Sequence, residues 1–277
     1  MSAQTPNSAA LWCADFAQSS PLFAGLMALA QPFITQRWPS LDEYNQIALA
    51  YYQQYCIPKC YWRTFVSLDH STLSFEQQVH TQAQVPTRLE NWHDYFNFWS
   101  WLYFPQAKAQ LFQRYTQVPG YLTQSQARVT RTPLQNRLAL LEEGGVVIGS
   151  DNPALLAQIQ GMQWQTLFWT HRAWLKDQLL IKIFGHAIWE KLLNPYLGLT
   201  ANAVLFLIPS EWLHWSAIAQ AKAFDQLLAD WLSGSEVLHY KTELCPFPLL
   251  GMPGAYPGNN CFAFYQQTDY FRSQRKT

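Results

Sequence analysis

Residues 179–208 read LLIKIFGHAIWEKLLNPYLGLTANAVLFLI, and this stretch decides the fold class. Leu179 to Phe184 is a short apolar run carrying Ile181 and Ile183, which predicts a strand. Gly185 permits a tight turn. His186 to Leu193 predicts a helix, ended by Asn194-Pro195 because proline cannot continue it. Val204 to Ile208 predicts a second strand. Strand, helix and strand in so short a span resemble a βαβ unit.

Working upstream, residues 137–149 (RLALLEEGGVVIG) read as a hairpin. Two apolar runs flank a Glu-Glu-Gly-Gly turn, where glycine supplies the positive φ that a tight turn demands. Residues 117–133 are polar, with Pro119, Gly120, Pro133, Arg128 and Arg131, and are the best loop or linker candidate. Residues 91–115 (NWHDYFNFWSWLYFPQAKAQLFQRY) are aromatic almost throughout. Asn91 reads as an N-cap, and Pro105 either kinks one long helix or separates two. A helix that is apolar on most sides is expected to be buried. Residues 41–55 have helical apolar spacing, and 57–85 read as weak strand or loop.

Downstream, residues 162–177 are amphipathic and predict a helix, and Ser210 predicts the cap of a helix running to Leu232. From Pro246 to Gly258 the chain is dense in proline and glycine, with Phe247, Leu249, Leu250, Met252 and Tyr256 interleaved. That pattern predicts an ordered irregular segment. The expectation is therefore one α+β domain over residues 1–277, rich in helix. Its small mixed β-sheet comes from 137–149, 179–184 and 202–208. Residues 1–40 form a peripheral N-terminal segment, and the Pro/Gly-rich C-terminal segment 246–277 folds back on the core.

Composition narrows the function classes. The 277 residues carry 18 Lys plus Arg and 18 Asp plus Glu, so the net charge is zero. Binders of duplex DNA or of anionic membranes need a basic excess, so both classes are disfavoured. Disorder wants low hydrophobicity and high net charge, and here hydrophobic residues are 49%. Charged residues are only 13%, about half the usual ~25%, which predicts a sticky surface and a possible homodimer. Aromatic residues are 16%, which builds either a core of large rings or an aromatic-lined pocket. MSAQTPNSAA at the start has no basic region of a signal peptide, and the apolar stretch Leu22–Ala30 is too short to span a bilayer. The expected location is cytoplasmic. Five cysteines, an odd number, argue against a disulfide framework, and Cys56 and Cys60 have no second pair to complete a zinc site.

Three polar clusters sit in apolar surroundings. The first is Arg88, Glu90, Asn91, His93, Asp94 and Asn97, with Trp92 among them. On a helix, His93 and Asn97 share a face at i, i+4. The second is His186 with Glu190, also i, i+4, at a strand-to-helix turn where α/β sheets often bind ligands. There Glu190 is expected to fix the tautomer of His186. The third is the tail, with Asn259, Asn260, Tyr265, Asp269 and Arg272. Each cluster is either a hydrogen-bond network that staples the fold or the lining of a site, because buried polar groups must be paired. Asp269 and Arg272 equally make a surface ion pair. Phosphate loops, GxGxxG, GxSxG, HExxH and EF-hand patterns are absent. Adjacent His93-Asp94 resembles the metal-dependent phosphohydrolases named for that pair, but His70, His80 and Asp151 are not placed to complete the pattern. No metal ligand is assigned and no cofactor is indicated.

A longer set of stretches resembles one family, the bacterial domain of unknown function 3025. They are Val85-Pro86-Thr87-Arg88 with Asn91-Trp92-His93-Asp94, Asn97 and Trp101; Phe104-Pro105 with Lys108; and Glu142-Glu143-Gly144-Gly145. Then follow Phe184-Gly185-His186 with Glu190 and Pro195-Tyr196, Thr200-Ala201, Pro248 to Gly254, and Phe264-Tyr265 with Thr268-Asp269 and Phe271-Arg272. The set spans roughly residues 75–275. The resemblance implies relatives and no reaction. Two departures stand out. The family's tail tends to read tyrosine then one or two acids, where Gln266-Gln267 stand here. Its turn often reads Asp-Glu-Asn-Gly, where this chain has Glu142-Glu143-Gly144-Gly145. If acids at 266–267 were needed for catalysis or metal, this chain would lack them.

The leading functional expectation is a small-molecule enzyme, a hydrolase or transferase, with an aromatic-lined pocket. His93 or His186 would be the general base, oriented by Asp94 or Glu190, and Arg88 and Arg272 would grip an anionic group. Asn91, Trp92, Asn97, Tyr265 and Asp269 would complete the substrate contacts. This requires His93, His186 and Asp269 to converge on one cavity. The alternative is a non-catalytic module binding a small molecule or a protein, with Trp92, Trp101 and Tyr265 lining an apolar pocket. A third is a nucleic-acid binder using Arg128, Arg131, Arg137 and a few aromatics as a local patch, against which the neutral charge weighs.

Overall fold

The computed structural model describes residues 11–68, 73–117, 131–238 and 243–273. Arg128 and most of the expected 117–133 linker lie outside the described residues. Near the N-terminus, α1 (Ala24–Ala30) and α2 (Leu41–Gln54) precede a two-stranded parallel pair. Ser40 caps α2 in a capping box with Glu43. The pair is β1 (Thr64–Val66) and β2 (Gln84–Pro86), with α3 (Phe75–Gln82) between them. Where the residue pattern predicts weak strand or loop, Ser74 and Gln77 form a second capping box that starts α3.

The aromatic run forms two helices, α4 (Trp92–Tyr103) and α5 (Pro105–Thr116). Asn91 caps α4, accepting from the Asp94 N–H at 3.0 Å. Pro105 drives Phe104 out of the helical region, to φ −130° and ψ 57°, so the chain bends there. Next come α6 (Pro133–Gly144), β3 (Gly145–Ser150), α7 (Pro153–Gln160), α8 (Leu175–Gln178) and β4 (Leu180–Ile183). After them come α9 (His186–Leu192), β5 (Thr200–Leu207), α10 (Ala217–Ser233) and β6 (Cys245–Pro248).

The main sheet has the order β4-β3-β5-β6 and is mixed: β3 and β5 are parallel, and both outer pairings are antiparallel. The protein is therefore α+β and rich in helix, with a small mixed sheet. The tail supplies its fourth strand and folds back over the core.

Four local expectations are corrected. Residues 137–149 are not a hairpin. The first apolar run is the end of α6, and Glu142-Glu143 form its last turn before β3 starts at Gly145. A side chain at Gly145 would overlap the Leu141 carbonyl, so glycine is what lets the helix run directly into the strand. Secondly, 179–208 is not a parallel βαβ unit. β4 is antiparallel to β3, and β3 lies between β4 and β5. Thirdly, residues 162–177 hold a π-helical turn (Thr166–Thr170) and the short α8, not one helix, while α7 lies just upstream. Fourthly, Ser216, not Ser210, caps α10.

The described part of 1–40 is not peripheral. Phe16, Phe23, Leu26 and Leu29 are buried in the common core, and Trp12 stacks on Trp92 at 5.1 Å. Most rings do serve the core: Trp99, Trp101 and Trp189 are fully buried. The five cysteines are free. Among the described residues, no helix is long and apolar enough to cross a membrane.

Candidate active site

Two close backbone approaches place the site. Gly185 N donates to Gly145 O at 2.8 Å, and a side chain at Gly185 would overlap the Gly145 nitrogen and the Glu143 carbonyl. The start of α9 is thereby pressed against the end of α6. Buried Ser100 Oγ of α4 donates to Phe184 O at 2.8 Å, fixing α4 beside the same turn. His93 from α4, Glu142 and Glu143 from α6, and His186 and Glu190 from α9 consequently meet.

The two imidazoles face each other, with His93 Nε2 and His186 Nε2 2.8 Å apart and the rings nearly perpendicular at 78°. Glu143 Oε2 lies 3.5 Å from His186 Nε2 and 3.8 Å from His93 Nε2. Behind the first ring, His93 Nδ1 bonds Glu190 Oε2 at 2.8 Å. Behind the second, Glu142 Oε1 stands 3.4 Å from His186 Nδ1, and that nitrogen is buried without a hydrogen-bond partner. Glu142 is held in turn by Lys108 Nζ at 2.5 Å, and Lys108 also donates to Asn97 Oδ1 at 3.1 Å. Lys108 is fully buried.

The charges follow this layout. Hydrogen bonding to Glu190 raises the His93 pKa. Burial pushes His186 down to about 3, so that ring is neutral. Burial opposes the Glu142 carboxylate, but the Lys108 ammonium bonded to it helps hold its carboxyl below the ordinary value. Glu143 is raised by partial burial and by the charge of Glu142.

The cluster forms part of the wall of a cavity of about 390 Å³. Phe75, Leu111, Phe112 and Tyr115 make an apolar side, and Arg88, His93, Asp94, Asn97, Glu142, Glu143 and His186 a polar one. His93, Glu143 and His186 offer donor atoms all within 4.8 Å of one another, a set that could hold a metal ion.

Several sequence expectations move. Glu190 pairs with His93, not with His186 four residues before it, because α9 packs on α4 and buries His186 while Glu190 reaches across. Asp94 does not orient His93. It accepts a two-pronged bond from Arg88, at 3.0 Å from Nε and 2.8 Å from Nη2, and a third from the Arg88 N–H. Arg88 is thus engaged within the protein rather than open as an anion clamp. Asn91 serves as the cap of α4, and Trp92 packs among Trp12, Trp38 and Phe16. Trp101 is buried against Phe112.

The tail does not join the cavity. Tyr265 is buried against Phe168, while Asp269 and Arg272 are exposed. Arg272 Nε donates to the Asp269 main-chain carbonyl, not to its carboxylate. Tyr265 and Arg272 line a separate hollow of about 620 Å³ whose lining contains no histidine and no carboxylate. Of the three groups required to converge, His93 and His186 do and Asp269 does not. Nor do Trp92, Trp101 and Tyr265 share a pocket; the cavity's rings are Phe75, Phe112 and Tyr115.

Glu142, Glu143 and Lys108 are members of the cluster that no functional expectation named. The available signal was a lysine among Ala107, Leu111 and Phe112 on an apolar helix, a buried charge that needs a partner. Glu142 and Glu143 were hidden by being read as a turn.

No curated protein and no solved structure matches the chain. A family described as "Protein of unknown function (DUF3025)" matches residues 64–275, which includes every member of the cluster. The chain belongs to the DUF3025 family.

Proposed function

We propose that the protein is an enzyme acting on a small molecule, by hydrolysis or group transfer, with the His93–His186–Glu143 triangle as its reacting centre. The observation that carries this is the convergence of two ring nitrogens and a carboxylate oxygen, from three separate helices, on one cavity wall. Fold-stabilising polar groups are normally closed by hydrogen bonds. Here His186 Nδ1 has none, and the two Nε2 atoms are bonded to each other at the cavity wall.

The chemistry fits water activation. Glu190 holds His93 with its Nδ1–H outward to the carboxylate, so the Nε2 lone pair is the one turned toward His186 and Glu143. Lys108 and Glu142 set the field behind His186. The Phe75, Phe112 and Tyr115 side suits an apolar or aromatic substrate body, with its reacting polar group directed to the triangle.

The test is turnover across a panel of small esters, amides and phosphoesters, with wild type and His93→Asn compared. Loss of roughly 10²–10⁴-fold in kcat with retained fold supports the enzyme. A ligand that binds unchanged, with equal affinity for both proteins, makes the cavity a binding module instead.

A further inference from the structure

Resting on that assignment of the reacting centre, we infer that His93 Nε2, His186 Nε2 and Glu143 Oε2 are the ligands of a divalent transition-metal ion of the zinc type.

The first reason is distance. The three atoms form a triangle with edges of 2.8, 3.5 and 3.8 Å. A tetrahedral ion with bonds of about 2.1 Å holds its ligand atoms about 3.4 Å apart, and the three edges bracket that spacing. The circle through three such atoms has a radius of about 2.0 Å, the length of a zinc bond to imidazole nitrogen or carboxylate oxygen. One ion seated just off that plane reaches all three without moving any element. Two histidines and one glutamate are also the donor set of catalytic zinc sites, which keep a fourth position for water.

The second reason is the arrangement behind the ligands. Both rings turn Nε2 inward and Nδ1 toward a carboxylate, Glu190 at 2.8 Å and Glu142 at 3.4 Å. Metal-bound histidines characteristically donate their other N–H to a carboxylate, which fixes the tautomer; the Glu190 bond does this for His93, and Glu142 faces His186 Nδ1 without bonding it. If both Nδ1 atoms carry the proton, both Nε2 atoms present lone pairs to each other at 2.8 Å. A cation between them turns that repulsion into two bonds. The carboxylate of Glu143 on the third corner supplies negative charge where the ion needs it.

The third reason is the cavity. The triangle is not sealed in the core: His93 and Glu143 side chains are 28% and 47% exposed, and both line the open cavity. An ion there has an entry path and a free coordination position on the substrate side. No spacing signature announces the set, since its members come from α4, α6 and α9.

The test is metal binding by the full chain. Protein stripped with chelator is titrated with Zn²⁺ alone, followed by calorimetry and native mass spectrometry, and with Co²⁺, followed by its visible absorption. The expected result is one ion per chain and a four-coordinate Co²⁺ spectrum. His93→Ala and Glu143→Ala should weaken Zn²⁺ binding by 100-fold or more. Glu190→Ala, which removes no ligand, should weaken it by about 10–100-fold through the loss of ring orientation. His214→Ala, an exposed histidine elsewhere, should bind as wild type does. Circular dichroism checks that each variant is folded, and Glu143→Ala is the safest because its side chain is half exposed.

Absence of stoichiometric binding of Zn²⁺ and Co²⁺, or binding indifferent to both His93→Ala and Glu143→Ala, overturns the inference. Turnover that survives chelation overturns it too, while leaving the enzyme assignment standing. One bound ion, lost in these variants, in a protein that turns over nothing keeps the metal site and removes the enzyme.

Discussion

Two polar clusters are set into the same aromatic core, and they are built in opposite ways. In the tail, side chains bond to main chain. Asn259 Nδ2 donates to the Leu250 and Met252 carbonyls, its Oδ1 accepts from Gly254 N, and Tyr265 Oη donates toward the Gly251 and Asn259 carbonyls. Arg172 donates to Asn259 O and to Tyr265 Oη, and Tyr270 Oη ties Leu199 to Leu250. These bonds close the loop's own backbone, which has little regular structure to close it otherwise. Around His93 and His186, side chains face side chains from three helices, one nitrogen is left unbonded, and a cavity lies alongside. The first pattern holds a segment in place; the second leaves valences for something else. Polar residues in apolar sequence are equally conspicuous in both, so the difference lies in what their atoms bond to.

That contrast is sharpened most by groups that should matter only for stability. Asp225 belongs to the closed kind: it accepts from Gln106 N and Ala107 N at the start of α5. Burial pushes its carboxyl up to about 7. A raised folded-state value means that its contribution is fully present below about pH 4 and is lost as pH rises through about 7. Relative to Asp225→Asn, the wild type should lose at most about 4 kcal/mol of stability across that window, read from urea midpoints at each pH. A pH-independent difference breaks the assignment.

Lys108 joins the clusters' two logics, since it is a buried charge supporting the open one. Lys108→Met strands Glu142 and should cost about 3–4 kcal/mol, while adding Glu142→Leu should recover most of it. Equal damage in single and double variants would mean that packing, not pairing, is lost. Asn259→Ala orphans two carbonyls and an N–H and should cost about 3 kcal/mol, with no effect on Zn²⁺ affinity. A large change in that affinity would erase the distinction between the clusters. Tyr265→Phe should cost only about 1 kcal/mol and leave turnover untouched, removing the tail from the chemistry.

The helices around the site were legible where local chemistry dictates them. Asn91 caps α4, Pro105 divides the aromatic run, and Gly185 opens the turn into α9. The end of α6 was not, because Gly144-Gly145 after two glutamates has the composition of a tight turn. The folded backbone shows instead that Gly145 is needed for closeness to the Leu141 carbonyl, and Gly185 for closeness to Gly145. Candidate residues His93, His186, Glu190 and Asp94 were visible as polar groups on apolar segments. Their partners were not, since local spacing favoured His186 with Glu190, while helix packing joins Glu190 to His93 across 97 residues. Asp269 illustrates the converse: it was expected among the substrate contacts, and the structure leaves it exposed, away from the cavity, on a segment that closes on itself.

The most direct measurement is anomalous diffraction at the zinc edge from crystals of the full chain grown with Zn²⁺. The account predicts one peak about 2.0–2.2 Å from His93 Nε2, His186 Nε2 and Glu143 Oε2, with Glu190 still bonded to His93 Nδ1. Crystals that show no peak there, with the two imidazoles hydrogen-bonded to each other, would contradict it.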